Sequence, residues 1–372
     1  STSISEIIEQ FFNCVLSILF VYMTVGNKTE IMAAAGNLST SCAALISVGY
    51  MISHYSLKRR YIKNECLAQT VPTENEPTSK LIKTIVYLAV PAAFASLVST
   101  LSSNIDSITV NNYTGNVEAF GLLSKTETLT HMPLALSATL YIAIVPVISA
   151  LIKTGDTSGA QKKLSGTLFL SNIIIFPCAA GFIVLAGPIL SLLYPAAPHG
   201  ALLLQLQTVA MIFSAITYVL NGVFYGLGKQ KYPAVILLLG TLIKLVLNIV
   251  FLKVFSMDVS SAVVSTIIYQ AFVTVVEVIF LNKFIKIKLD FIKQFLKPLV
   301  STVIMGALVY GVYSLLSNIL SSNICTVISV FAGVVIYFLS LLLMRTLSKE
   351  DFLMLPKGEL LYRIFSKTRL IK

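Results

Sequence analysis

Ten long apolar stretches, joined by short connections whose lysines and arginines fall on every second one, leave this chain few ways to fold. The stretches lie at approximately 4–26, 31–55, 81–112, 118–152, 163–187, 199–227, 232–255, 259–282, 297–317 and 322–344. A helix needs about 20 apolar residues to cross a bilayer core of roughly 30 Å. Apolar residues make up 56% of the 372 residues and charged residues 12%, with no soluble-domain composition longer than a loop. The chain must therefore use lipid as its solvent, and the expected fold class is all-α: a polytopic membrane helical bundle of about ten transmembrane helices. A segment at 187–198 holds three prolines and a short apolar piece, Ile189 to Tyr194. It is too short to span and reads as a bent connection at the interface.

The basic residues give the topology. Of 27 Lys and Arg, 23 fall in five regions: 6 in 56–83, 3 in 153–163, 2 in 229–231, 5 in 283–297 and 7 in 345–372. The intervening connections hold only Lys28 and Lys253, and Lys125 and Lys244 lie inside spans. By the positive-inside rule all five regions and both chain ends are expected in the cytoplasm. The net charge of +11 is thus spread along one membrane face, which suits anionic lipid head groups and not nucleic acid. Five cysteines without paired spacing signal neither a disulfide framework nor a metal site, and no cofactor pattern is present.

Residues 56–80 form the one long polar connection, with Pro72, Pro77 and mixed charge, and read as a cytoplasmic linker. Six spans follow within 81–283, then a basic connection and two spans within 284–344, then a basic tail at 345–372. Several local motifs accompany this two, six, two grouping. They are Glu9-Gln10, Ala33-Ala34-Ala35-Gly36, Ala89-Val90-Pro91, Asn104-Ile105-Asp106, Gly226-Leu227-Gly228-Lys229 with Tyr232-Pro233, and Lys244 with Asn248. In this order the chain resembles the multidrug/oligosaccharidyl-lipid/polysaccharide exporter superfamily, most closely its stage V sporulation protein B and polysaccharide biosynthesis branch, with the lipid II flippases as near relatives. The resemblance implies a two-lobe fold of 14 helices, of which this sequence would hold helices 5 to 14. Residues 1–55 would then be the last two helices of an incomplete N-terminal lobe and 81–283 the C-terminal lobe.

Ionisable groups inside spans cost roughly 2.5–3.5 kcal/mol each on insertion scales and need a partner or an aqueous cavity. Asp106 and Lys125 come to similar depth on adjacent antiparallel spans. They read either as an ion pair locking two helices or as a cavity site in which Lys125 holds an anionic group. Glu127 and His131, four apart, share a helical face that could carry a proton-coupled step or simply bond to the bundle. Lys244 is too deep to reach either surface, Asn248 shares its face, and Asn221 and Gln270 lie on neighbouring spans. Packing glue and a polar cavity wall are both open for these amides. In the lipid-linked sugar exporters that the chain resembles, a mid-helix cation would suit a pyrophosphate and amides would suit sugar hydroxyls. Glu6 and Glu9, near the cytoplasmic start of the first span, are gate candidates or interfacial charges.

Gly226-Leu227-Gly228-Lys229 is no phosphate loop: Val223 stands where the first glycine is required and Gln230 follows the lysine. It reads as a helix end, with Gly222 and Gly226 forming a small-xxx-small surface. The expected function, carried by the resemblance, is a flippase for a lipid-linked oligosaccharide or peptidoglycan precursor. It would work by alternating access in a bacterial cytoplasmic membrane, with polyprenyl-pyrophosphate-linked sugar and membrane lipids as partners and proton or sodium coupling open. The alternative is a drug or cation antiporter of the same superfamily. A membrane-embedded enzyme is disfavoured, because every outer connection is short.

Overall fold

The computed structural model describes residues 2–68, 77–114, 117–255, 257–287, 290–344 and 346. Eleven α-helices follow in chain order: α1 Thr2–Met23, α2 Thr29–Ala68, α3 Thr78–Thr114, α4 Val117–Lys153, α5 Thr157–Val184, α6 Ala186–Leu193, α7 Ala201–Gly226, α8 Lys231–Lys253, α9 Ser260–Phe284, α10 Lys297–Leu316 and α11 Ser322–Leu343. A π-helical turn, Ile292–Leu296, leads into α10. Among the described residues nine helices are long and apolar enough to cross a membrane, so the protein is a multi-pass membrane protein. The expected first span, 4–26, is α1, but its apolar part, Ile7–Met23, falls short of that length because polar and acidic residues occupy its first turns. The short piece expected at the interface is α6.

The polar stretch 56–80 differs from its sequence reading. α2 runs on through Ala68, well past the end of the apolar segment at 55. Residues 56–68 contain no Gly or Pro and include two Lys, two Arg and two Leu, so no stop signal interrupts the helix there. Only the later part of the expected linker can connect helices, and its residues 69–76 lie outside those described, as does the tail at 345–372 apart from Thr346.

The chain forms two compact units, Ser1–Thr78 and Ser79–Lys372. The first is a helical hairpin of α1 and α2, turned at Gly26, whose φ of +96° is a left-handed conformation that glycine adopts without strain. Polar pairs tie its helices: Ser5 Oγ to Ser47 Oγ at 2.6 Å, and Ser39 Oγ donating to Asn13 Oδ1 at 3.1 Å. Such bonds between apolar helices fix register where lipid and side chains are equally apolar.

In the second unit α4 and α7 pack backbone to backbone. A Cβ at Gly226 would lie 2.7 Å from Ile148 Cβ and 2.9 Å from the Val145 carbonyl oxygen, and one at Gly222 would lie 2.5 Å from Ile144 Cγ2. Gly240 lets α8 approach Tyr269 and Val273 of α9 in the same way. Ile144, Ile148, Leu164, Leu168 and Phe224 close the core at one end of the bundle, and Val110, Leu123, Leu203 and Val263 close it at the other. α10 and α11 attach through Met305, Val309, Tyr337 and Leu341 to Leu185, Ala180 and Val184. Asn172 Nδ2 of α5 also donates to the Gln294 carbonyl in the π turn at 3.1 Å, and Gln294 Nε2 donates back to Ser165 Oγ. Large apolar side chains such as Leu242, Val246, Ile279 and Phe331 point outward, as a lipid-facing surface requires.

Pro91, Pro133, Pro146 and Pro177 sit inside helices α3, α4 and α5. The Gly226-Leu227-Gly228-Lys229 motif is a helix end: α7 stops at Gly226, Gly228 has φ +67°, and Lys229 N–H bonds the Phe224 carbonyl at 2.8 Å.

Candidate functional site

Two polar regions occupy the interior of the second unit. The first is an ion-pair cluster shared by α3, α8 and α9. Ser102, Asp106 and Thr109 fall on one face of α3 at helical spacing, and Lys244 and Asn248 fall on one face of α8. Lys244 Nζ lies 2.6 Å from Asp106 Oδ2, with both side chains almost fully buried. The same ammonium donates to the Ser102 carbonyl at 3.0 Å and to Ser102 Oγ at 3.3 Å. Its three protons therefore have three acceptors. Asp106 is held in turn by Asn248 Nδ2 at 3.2 Å and by Thr266 Oγ1 at 3.3 Å, while Asn248 also donates to Thr109 Oγ1 at 2.8 Å and accepts from Ser261 Oγ at 3.3 Å. A buried ion pair is tolerable only when its remaining lone pairs and protons are satisfied, as they are here.

An ion pair with Lys125 was one of two readings open for Asp106, and Asp106 pairs with Lys244 instead. Lys125 Nζ instead donates to the Ala197 carbonyl and lies 5.8 Å from the centroid of the Tyr194 ring. Helical rise gives the depth of a residue but not the direction it faces in a bundle. Lys125 turns toward the bent connection between α6 and α7, whereas Asp106 faces α8 and α9. A hydrogen bond from a charged donor contributes about 1.5–3 kcal/mol. Lys125→Met should accordingly raise hydrogen–deuterium exchange across 194–200 and leave exchange in α8 and α9 unchanged. Equal exchange in both proteins would show that the lysine does not hold the connection.

The second region is a cavity of about 320 Å³ beside this cluster. Its wall includes Ser96, Ser99 and Ser103 from α3, Glu127 and His131 from α4, Gln207 and Asn221 from α7, and Tyr269 and Gln270 from α9. Lys244 reaches both regions, since it lines the cavity while its charge is paired with Asp106. Of the residues singled out from sequence, His131, Asn221, Lys244 and Gln270 line the cavity, and Asp106 and Asn248 lie in the adjoining cluster. Lys125 lies in neither. Glu9 is half-buried on α1 in the other compact unit, and Glu6 is on the same helix with its side chain outside the described residues.

Sequence reasoning passed over Gln207 and Glu277. Glu277 on α9 is completely buried, with neither carboxyl oxygen bonded to a described protein group. The rule that singled out Asp106 applies to it equally, because it is an acid inside an apolar stretch. Among the described residues no three His, Cys, Asp or Glu side chains gather as a metal site would require. The chemistry on offer is hydrogen bonding and charge.

The profile of the family described as lipid II flippase MurJ matches residues 8–335. The chain belongs to the lipid II flippase MurJ family. Among curated proteins it is similar to the lipid II flippase MurJ of Bacillus subtilis (strain 168), 26% identical over 276 residues, which covers 69% of this chain and 50% of that protein. It is also similar to the uncharacterized membrane protein YabM of the same organism, 22% identical over 259 residues, or 66% of this chain and 47% of YabM. The chain thus spans about half the length of the curated relatives it matches.

Solved structures agree on the fold. A lipid II flippase MurJ in an inward closed conformation superposes with a TM-score of 0.63 at 16% identity, covering 88% of this chain and 65% of that one. An outward-facing multidrug resistance MATE family transporter of the MOP superfamily gives 0.59 at 14% identity, covering 76% and 62%. The MurJ fold and the MATE fold share the helical membrane architecture seen here.

Proposed function

We propose that this protein takes part in moving a lipid-linked saccharide precursor, of the peptidoglycan kind, across a bacterial cytoplasmic membrane by alternating access, with its basic connections on the cytoplasmic side. The observation that carries this reading is a polar cavity, about 320 Å³, lined by helices long and apolar enough to span a bilayer. Polar groups at that depth are retained where they line a path for a polar cargo. The match to the lipid II flippase MurJ family over residues 8–335 supports the substrate class, and the proposal follows that family rather than the sporulation branch. Membrane potential, an ion gradient or consumption of the product would supply the driving force. Asp106, Lys244 and Asn248 would serve as the fixed interior post against which helices rearrange, and Glu9 and Glu6 as gate residues.

A specific observation keeps the second reading in play. With Lys244 paired, an ionisable acid, Glu127, still lines the cavity wall, as a cation or drug antiporter would need. One experiment separates the two. Vesicles containing the protein are loaded with fluorescent undecaprenyl-pyrophosphate-linked sugar, and its appearance on the far leaflet is followed with and without a sodium or proton gradient. Translocation above protein-free vesicles, reduced at least about tenfold by Asn221→Leu, is the expected result. Absence of lipid translocation together with gradient-driven efflux of a cationic dye would replace the flippase with the antiporter.

A further inference from the structure

The cavity also carries a set of groups whose chemistry is more selective than a general polar path. Gln207 and Asn221 on α7 and Gln270 on α9 line it, and the side-chain carbonyl oxygen of each is buried without a protein partner. Gln207 is only 7% exposed. A buried polar group left unpaired is unfavourable, and each of these oxygens is closed off from the cavity as it stands, so a hydrogen-bonding ligand in the cavity would favour turning the amides toward it. Turning an amide exchanges its acceptor for two donors. The set therefore suits a ligand whose groups both donate and accept, as hydroxyls do.

Tyr141, Tyr218 and Tyr225 line the same space. Each offers a flat apolar face beside a polar tip, which matches the apolar ring faces and hydroxylated rim of a pyranose. A phosphate finds the opposite. The Lys244 ammonium, which lines the cavity, has three acceptors already, and Lys125 is bonded elsewhere. At about 320 Å³ the space is near the lower end of ligand cavities, which run roughly 300–1,000 Å³, and admits one sugar ring with little to spare.

Building on the flippase reading, we propose that this cavity is a subsite for an uncharged pyranose of the cargo, held by Gln207, Asn221 and Gln270 against the tyrosine faces, while the phosphate portion stays outside it. The chain contains no tryptophan. Leu237→Trp, on the cavity wall from α8, is therefore the sole tryptophan, placed beside the site and excited at wavelengths that the 16 tyrosines do not absorb. The purified full chain carrying this reporter is titrated in detergent with N-acetylglucosamine and, separately, with inorganic pyrophosphate at matched ionic strength.

The expected result is a saturable change in emission with the sugar and none with pyrophosphate. Gln207→Leu and Gln270→Leu in the reporter background should each weaken the sugar response about tenfold. The emission maximum without sugar checks that the cavity is intact in each variant, and Asn221→Ala provides a third probe where one of the others is misfolded. A response to pyrophosphate, a sugar response indifferent to all three amides, or no sugar response in the intact reporter protein would overturn the subsite. Sugar binding by a protein that translocates no lipid would leave the subsite and remove the flippase reading. Translocation by a protein that binds no sugar would do the reverse.

Discussion

Lys244→Met is expected to destabilise the protein by about 3–5 kcal/mol, because it leaves Asp106 as an uncompensated charge in a site with little access to water. Asp106 is 1% exposed and Lys244 3%, and the pair connects α3 to α8 and α9 at 2.6 Å. Adding Asp106→Asn removes the stranded charge while keeping a polar group for Asn248 and Thr266 to bond. The double variant should recover at least about half of the loss, so that it costs far less than the two single losses added together. Unfolding can be followed through Cys325, a free thiol with no exposure in the folded protein, by its labelling with a thiol-reactive dye as temperature rises. Simple addition of the two losses would mean that each residue acts alone and that the pair is not what ties α3 in place.

The second large effect concerns the seam between α4 and α7. A Cβ at Gly226 would approach Ile148 Cβ to 2.7 Å and the Val145 carbonyl to 2.9 Å. The second of these is backbone and cannot rotate aside. Gly226→Val should force the helices apart and cost at least about 1–3 kcal/mol, the usual range for overpacking, with an equal or larger loss for Gly222→Val, whose Cβ would lie 2.5 Å from Ile144 Cγ2. Trimming the facing side chain in Gly226→Ala/Ile148→Ala removes the contact with Ile148 Cγ2 at 2.8 Å but keeps those with Ile148 Cβ and the Val145 carbonyl, so it should recover only a small part of the loss seen in Gly226→Ala. The same thermal labelling assay reads the effect. Unchanged stability in Gly226→Val would show that the two helices do not pack this closely in the membrane.

The membrane-crossing pattern was legible because a bilayer imposes a length and a composition that lie on the sequence itself. Spans at 163–187, 232–255 and 322–344 lie within a few residues of α5, α8 and α11 at most of their ends, apart from the first turns of α5. Where the sequence reading stopped α2 at residue 55, it relied on the end of apolar composition, but a helix needs a stop signal to end and Ser56 to Ala68 has none. Lys244 and Asn248 could be recognised as sharing a face, since spacing within one helix is a one-dimensional fact.

Sequence by itself determined which residues lie inside long apolar stretches and therefore need partners: Asp106, Lys125, Lys244, Asn221, Asn248 and Gln270 were singled out on that ground alone. Tertiary structure decided which partners they found. Asp106 took Lys244 of α8, 138 positions away along the chain, and Lys125 took a backbone carbonyl 72 residues away. Depth follows from 1.5 Å of rise per residue, whereas the direction a side chain faces depends on how each helix is rotated against its neighbours, and glycines such as Gly222, Gly226 and Gly240 permit the close contacts between helices that fix it.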